Sequence, residues 1–302
     1  MTESTELAAR TAAAGTGTVQ QRDSAAEQRA HGSTRTPGRS RPARSGRSRR
    51  LRDGLLPWSS LILLVLVWWL ASATGRLDPT VLPGPGAVLS AAVDLVRTGA
   101  LGSALAASTA RAAVGAGLGL VLGLGLGLVA GLSRLAERAV DKPVQMIRTI
   151  PFTAMVPLFI IWFGIGETPK VLLVAVGVAV PVYLNTFAGI RDVDARLVEA
   201  ARVCGLSRAR VATQVLLPGA LPSVLVGVRF ALGIAWVALI VAETLAAGQG
   251  IGALMTQARE YVRTDVILVC IAVYAALGAI TDTLVRALER FLLRWRVTYQ
   301  GD

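Results

Sequence analysis

Long apolar segments, each bounded by short polar ones, make up most of the chain after residue 52. Six of these segments reach about 20 residues or more, the length that an α-helix needs to cross the hydrocarbon core of a bilayer. The pattern therefore predicts an all-α, polytopic membrane protein with six transmembrane helices. The predicted spans are 55–74, 104–130, 144–163, 171–190, 218–243 and 266–288.

Glycines recur at every fourth position of the second span. They are Gly115, Gly119, Gly123, Gly127 and Gly131. Residues four apart share one face of a helix, so these glycines form a stripe that lets another helix approach closely. We interpret the stripe as packing inside the chain rather than as contact with a transported molecule. A surface helix is also predicted at about 87–96, before this span.

Prolines interrupt the third and fourth spans at Pro151, Pro157 and Pro181. Each leaves a backbone carbonyl without its helical partner, which a membrane tolerates only against protein or beside a wet cavity. Two interpretations stay open: Pro151 and Pro157 belong to a translocation path, or the prolines are simple kinks.

The charge distribution divides the chain into two parts. Residues 1–52 hold 11 of the 31 Lys and Arg residues and almost no large hydrophobic residues. Such a segment has too little apolar surface to fold. We predict a disordered, basic cytosolic tail at 1–52 and a transmembrane domain at 53–302. The net charge of +12 thus belongs largely to a tail, and it indicates contact with membrane lipid or no specific partner rather than nucleic-acid binding.

The Lys and Arg residues of the whole chain, the tail included, orient the spans. With the N-terminus in the cytosol, 24 of the 31 Lys and Arg residues fall on the cytosolic side and five on the outer side. This asymmetry is the one that the positive-inside rule describes. Both termini and the loop 191–218 are therefore predicted to be cytosolic.

Motifs for covalent chemistry are missing from the sequence. A phosphate-binding loop needs a glycine-rich turn followed by Lys, whereas Lys142 and Lys170 follow Asp and Pro. The single histidine, His31, lies in the tail, and Cys204 and Cys270 do not form a zinc-type cluster. We predict no catalytic residue and no metal site, and we expect another polypeptide to hydrolyse any ATP that drives the protein.

The loop 191–218 contains helix-capping residues. Asp192 and Asp194 can cap a helix. Gly205 can take the left-handed conformation that ends it, and Ser207 can cap a second helix to about residue 216. Pro218 would then open the next span at a first-turn position. The pattern predicts a short, cationic helix–glycine–helix segment that suits docking on another protein.

The same segment carries the motif Glu-Ala-Ala, three residues, Gly, nine residues, an aliphatic residue, any residue, Leu-Pro. The matching residues are Glu199, Ala200, Ala201, Gly205, Val215, Leu217 and Pro218. This motif resembles the coupling loop of the permeases of bacterial ABC importers. The resemblance extends over about 82–295 and is closest to permeases for aliphatic sulfonates and taurine. The closer match rests on the runs 150–151, 157–158, 162–167, 226–233, 240–244, 258–260 and 264–265.

The resemblance implies the type I ABC importer permease fold and a transport subunit rather than an enzyme. It also implies a homodimer in the cytoplasmic membrane, two ABC ATPase subunits that hold the ATP, and an extracytoplasmic substrate-binding protein; no cofactor is expected in this chain. In the loop, Ala200 and Ala201 would permit close approach to the ATPase and Gly205 would make the bend. Glu199 would offer a carboxylate to the ATPase or to a nearby arginine.

Charged and aromatic residues within the spans are further candidates. Arg229 is predicted near mid-membrane, where it could attract an anionic sulfonate or pair with a carbonyl or acid inside the bundle. Glu243 is a candidate gate or binding-protein contact, or an ordinary interfacial acid. Arg111 is predicted to snorkel to the outer interface. Trp236 is placed on the possible translocation path, although packing is its favoured interpretation.

The resulting hypothesis is an importer of aliphatic sulfonates or taurine-like organic anions. Its alternative within the same class is an ABC permease for another small solute, such as nitrate, bicarbonate or a vitamin precursor. An ion-coupled secondary transporter would need an acidic relay near the midplane, which the predicted spans lack. A structural membrane anchor would not need proline-broken spans and a glycine stripe.

Overall fold

A computed structural model of the chain describes residues 59, 62–75, 78, 80–245 and 248–293. The chain divides into two units, Met1–Ser60 and Leu61–Asp302, and nearly all described residues belong to the second. The tail predicted at 1–52 and the beginning of the first predicted span lie outside the described residues.

The described part of the second unit is helical and contains no strand, which confirms the all-α prediction. Its helices are α1 (Ile62–Ala73), α2 (Pro85–Arg97), α3 (Ala100–Leu132), α4 (Arg134–Arg148), α5 (Phe152–Phe163), α6 (Glu167–Arg191), α7 (Ala195–Val203), α8 (Arg208–Leu245), α9 (Ile251–Glu260) and α10 (Thr264–Leu292). Helix α2 is the predicted surface helix.

Four of these helices, α3, α6, α8 and α10, are long and apolar enough to cross a membrane. Helices α4 and α5 together would make a fifth crossing if they count as one broken span. Helix α1 is apolar but shorter, and the rest of the first predicted span is not described. The membrane-spanning architecture is therefore confirmed, whereas the count of six spans stays a prediction.

The third predicted span, 144–163, is wrong as a single helix. Helix α4 ends at Arg148, Pro151 is the N-cap of α5, and the two helices are bent by 107°. Proline disfavours a helical conformation at the residue before it and has no N–H to donate, so the chain turns here instead of continuing. Pro157 and Pro181, in contrast, lie inside α5 and α6.

The glycine stripe of α3 packs directly against α6. A Cβ atom at Gly119 would lie 2.5 Å from the carbonyl oxygen of Ala175, and one at Gly127 would lie 2.7 Å from the Cβ of Thr186. The facing side chains of α6 also recur at every fourth position: Val174, Val178, Val182, Thr186 and Ile190. β-Branched side chains thus fill the groove that the glycines leave, and the predicted packing inside the chain is confirmed.

Helix α6 is buried between α3 and α8 and forms the centre of the bundle. Ala112 of α3, Val178 of α6 and Leu239 of α8 belong to one core cluster. A second cluster includes Ile251 of α9 and Cys270 of α10. Small and β-branched residues dominate the first cluster, which allows the helix axes to lie close together in the membrane.

The second helix of the loop and the fifth predicted span form one continuous helix, α8. Its residues Ala212–Leu216 are π-helical, and the N–H of Leu217 donates to the carbonyl oxygen of Ala212. The prediction that one helix ends near residue 216 and another opens at Pro218 is therefore wrong. A π turn is wider than an α turn, and it stands where the ring and the missing N–H of Pro218 would disturb a regular α-helix.

Candidate functional site

The loop 191–218, which we call the coupling loop, forms the predicted helix–glycine–helix segment. Helix α7 begins after Asp194, whose carboxylate accepts a hydrogen bond of 2.9 Å from the N–H of Arg196. It ends at a turn in which Gly205 has a φ of +81°. The side chain of Ser207 caps α8. The left-handed glycine and the predicted caps at Asp194 and Ser207 are confirmed, whereas Asp192 is the C-cap of α6.

The surface of the coupling loop is open. Helix α7 has no buried residue, and Leu197 and Val203 are 58% and 88% exposed. Glu199 is exposed too and forms no ion pair with any residue that the structure describes. Its carboxylate is therefore accessible to a partner. The loop presents apolar side chains beside several arginines, a combination that is common in protein interfaces.

Polar side chains from four helices meet at the other end of α6, about 36 Å along that helix from the coupling loop. We call them the Arg111 network. Its members are Ser108 and Arg111 of α3, Glu167 and Lys170 of α6, Glu243 of α8 and Tyr274 of α10.

Glu243 is the centre of the Arg111 network and is fully buried. Its Oε1 atom lies 2.7 Å from Nη1 of Arg111. The hydroxyls of Ser108 and Tyr274 donate to the carboxylate at 2.8 and 3.2 Å, and the N–H of Gly252 donates at 2.9 Å. A buried carboxylate is costly unless it is paired and hydrogen-bonded. Both oxygens of Glu243 meet that requirement.

Arg111 is 7% exposed and also donates to Glu167 and to the carbonyl oxygen of Gln249. The same Glu167 carboxylate lies 3.2 Å from Nζ of Lys170, a residue that is itself buried. The predicted snorkelling of Arg111 is therefore wrong. Its guanidinium has acidic partners within the protein, so it does not need to reach water.

The chain after α8 closes tightly around Glu243. A Cβ atom at Gly250 would lie 2.5 Å from Oε1 of Glu243, and one at Gly252 would lie 2.5 Å from its Cβ. Gly250 also has a φ of +123°. This enclosure prevents a direct contact of the Glu243 carboxylate with a binding protein, so that interpretation is wrong for this structure, whereas a role in gating stays a prediction.

Two other candidates of the fifth span have partners inside the chain. Nε of Arg229 lies 2.7 Å from Oδ1 of Asp282 in α10, which supports an acidic partner rather than attraction of a sulfonate. Trp236 packs against both core clusters, and its indole N–H donates to Thr281 at 3.1 Å. This geometry agrees with the packing interpretation of Trp236.

A cavity of about 430 Å³ lies between α5, α6, α8 and the bend that joins α4 to α5. Pro151 and Pro181 line this cavity, whereas Pro157 does not. Arg229 and Trp236 are not among its lining residues either. Of the candidates for a translocation path, the structure brings Pro151 to this cavity.

Sequence reasoning assigned no role to Ser108, Glu167, Lys170 or Tyr274. A signal was present for two pairs, because Ser108 stands three residues before Arg111 and Lys170 stands three residues after Glu167. Residues at this spacing share a helix face. Tyr274 carried no such signal, since the packing of α10 alone brings it to Glu243.

The sequence matches the family described as "binding-protein-dependent transport system inner membrane component" over residues 119–294. The putative aliphatic sulfonates transport permease protein SsuC of Escherichia coli (strain K12) is 49% identical over 243 residues, 80% of this chain and 92% of that protein. The taurine transport system permease protein TauC of the same strain is 36% identical over 249 residues, 81% of this chain and 90% of that protein.

A solved structure shares the fold. A chain in the crystal structure of an amino acid ABC transporter with histidines aligns with a TM-score of 0.56 and 20% identity, over 66% of this chain and 97% of that chain. At that identity the alignment speaks for the fold alone. It agrees with the permease fold that the sequence predicts.

Proposed function

The chain belongs to the family of binding-protein-dependent transport system inner membrane components, and we propose that it is the permease of an ABC importer for aliphatic sulfonates and taurine-like organic anions. It is a multi-pass protein of the cytoplasmic membrane and a transport subunit rather than an enzyme. Relatives that are 49% and 36% identical and are named for aliphatic sulfonates and taurine support the substrate class.

The observation that carries the mechanism is the exposed coupling loop. In our proposal two copies of this chain form a homodimer with cytosolic termini, and each coupling loop docks in a cleft of one of two ATPase subunits. Glu199 contacts the ATPase, Ala200 and Ala201 permit its close approach, and Gly205 makes the bend. The ATP binds to the partner subunits, and an extracytoplasmic binding protein delivers the substrate.

The continuity of α8 supports transmission of the movement. This helix runs from Arg208 in the coupling loop to Leu245 beside the Arg111 network, about 55 Å at 1.5 Å per residue. A displacement of the loop by the ATPase therefore acts on one continuous helix that crosses the bundle. The π turn at Ala212–Leu216 is the irregular part of α8, and such turns are places where helices bend.

Growth on defined sulfur sources tests this function. A strain that lacks this gene and other sulfonate uptake routes is grown with ethanesulfonate, taurine or sulfate as the sole sulfur source. We expect loss of growth on the sulfonates alone, and restoration by the intact gene but not by Gly205→Val. Unchanged growth of the deletion strain on both sulfonates would contradict the substrate assignment and leave a permease of this family with another solute.

A further inference from the structure

We propose that the cavity of about 430 Å³ binds the alkyl chain of the transported sulfonate while Arg148 holds the sulfonate group. The permease would then select substrates by chain length, in a step separate from the binding protein. This inference rests on the proposed function and deepens it by naming residues that contact the substrate.

The cavity lies between the two ends of the bundle. Its α6 residues, from Val176 to Asn185, occupy the middle and second half of that helix, between the Arg111 network and the coupling loop. Phe230 and Ile234 line it from the middle of α8. Its volume falls within the range of small-molecule binding sites. A solute crossing this bundle would therefore meet a cavity of suitable size about midway.

The wall of the cavity is apolar apart from Arg148, Thr149 and Asn185. The Thr149 hydroxyl donates to the carbonyl oxygen of Met146 at 2.8 Å, and the Asn185 amide donates to that of Pro181 at 2.9 Å. Both side chains thus direct a donor to the backbone of their own helices. An apolar wall with few polar groups suits a hydrocarbon chain better than a strongly hydrated ion.

Of the residues that the structure describes, Arg148 is the one charged residue that lines this cavity. It stands at the last position of α4, beside the bend, and it takes part in none of the ion pairs found among the described residues. A guanidinium stays protonated and offers several donors to an oxyanion. A cation beside an apolar cavity is complementary to a molecule with one anionic group and an apolar tail, which is the chemistry of an aliphatic sulfonate.

The wall predicts how selection changes with chain length. Each methylene group that binding removes from water raises the binding constant by a factor of roughly four. A longer alkyl chain is therefore favoured until the cavity is full. Val180 lines the cavity from α6, so a larger side chain at this position shortens the space and a smaller one extends it.

The test compares two substrates in one transporter. The complete importer, with its ATPase and binding protein, is reconstituted in proteoliposomes, and ATP-driven uptake of octanesulfonate and ethanesulfonate is measured. We expect Val180→Phe to lower the octane-to-ethane uptake ratio by about tenfold or more, and Val180→Ala to raise it. The matched control is Val121→Phe on α3, where valine is 72% exposed outside the cavity; its ratio should equal that of the wild type.

A second pair of variants tests the anion contact. Arg148→Gln should lower the uptake of both sulfonates by about tenfold, whereas Arg138→Gln on the same helix should not. Unchanged ratios in both Val180 variants would overturn the alkyl site, and Val180→Ala decides alone if Val180→Phe does not assemble. Unchanged uptake in Arg148→Gln would overturn the anion contact. Absence of sulfonate uptake by the wild type would instead contradict the proposed function.

Discussion

At the end of α6 that begins with Glu167, the charged side chains of Arg111, Lys170 and Glu243 are buried and are paired within the chain. At the end that leads into the coupling loop, Glu199 is exposed. Glu243 accepts hydrogen bonds from an arginine, two hydroxyls and a backbone N–H. Glu199 has no ion pair with a described residue, and α7 buries none of its side chains. The same residue type thus has opposite surroundings at the two ends.

The difference indicates which end is built to remain fixed within the chain and which is left to bind. Separating the members of a buried ion pair leaves a buried charge without a partner, which costs free energy. The Arg111 network therefore resists rearrangement. The coupling loop instead keeps apolar and charged groups available, and their burial can contribute to the free energy of binding a partner. In our proposal, function at the coupling loop therefore depends on contacts that this chain does not make by itself.

The largest effect on stability is expected from Glu243→Ala. This change leaves Arg111 with Glu167 as its acidic partner but leaves the other donors around Glu243 buried without an acceptor, which should lower the free energy of unfolding by about 3 kcal/mol. Thermal unfolding of the purified protein in detergent measures it. Glu199→Ala is the matched control at the other end and should change that free energy by less than about 0.5 kcal/mol. Equal losses in both variants would contradict the contrast between the two ends.

A substitution in the contact between α3 and α6, which runs between the two ends, should lower the stability less. In Gly119→Val the new side chain would meet the backbone of α6, and overpacking of this kind costs about 1–3 kcal/mol. Gly117→Val on the same helix is the control, because a Cβ atom there meets nothing within 4 Å. The yield of folded protein and its unfolding temperature distinguish the two. If both variants behave alike, the stripe is not what holds α3 against α6.

Gly205→Val should affect uptake far more than it affects the fold. A Cβ atom at this position meets nothing within 4 Å, but its φ of +81° strains a β-branched residue by about 1–2 kcal/mol. We expect normal amounts of the variant in the membrane and loss of ATP-driven uptake. Gly205→Asn is the control, since asparagine tolerates the left-handed conformation. Full uptake by Gly205→Val would show that the bend is not needed for coupling.

Features that depend on local chain geometry could be predicted from the sequence. The stripe from Gly115 to Gly131 follows from a spacing of four, and the bend at Gly205 follows from a glycine between two capped helices. Both rules act within a few residues, so the sequence contains all that they need. The same holds for the apolar lengths of α3, α6, α8 and α10.

Features that depend on tertiary partners could not be predicted. Arg111 was expected to reach water because its acidic partners lie 56 and 132 residues away in sequence. Pro151 indicated an interruption of the third span, but the hydrophobic pattern does not show that α4 and α5 meet at a bend of 107°. The π turn that carries α8 past Pro218 likewise leaves no mark in the polar and apolar pattern.

The coupling loop contains its own probe. The chain has two cysteines, of which Cys204 is exposed in the loop and Cys270 is buried in α10. The most direct test measures the rate at which a maleimide labels Cys204 in the permease alone and in the assembled importer, with Cys204→Ser as the blank. We predict rapid labelling of the permease alone and strong protection by the ATPase. Equal rates in the two preparations would contradict docking of this loop in the ATPase.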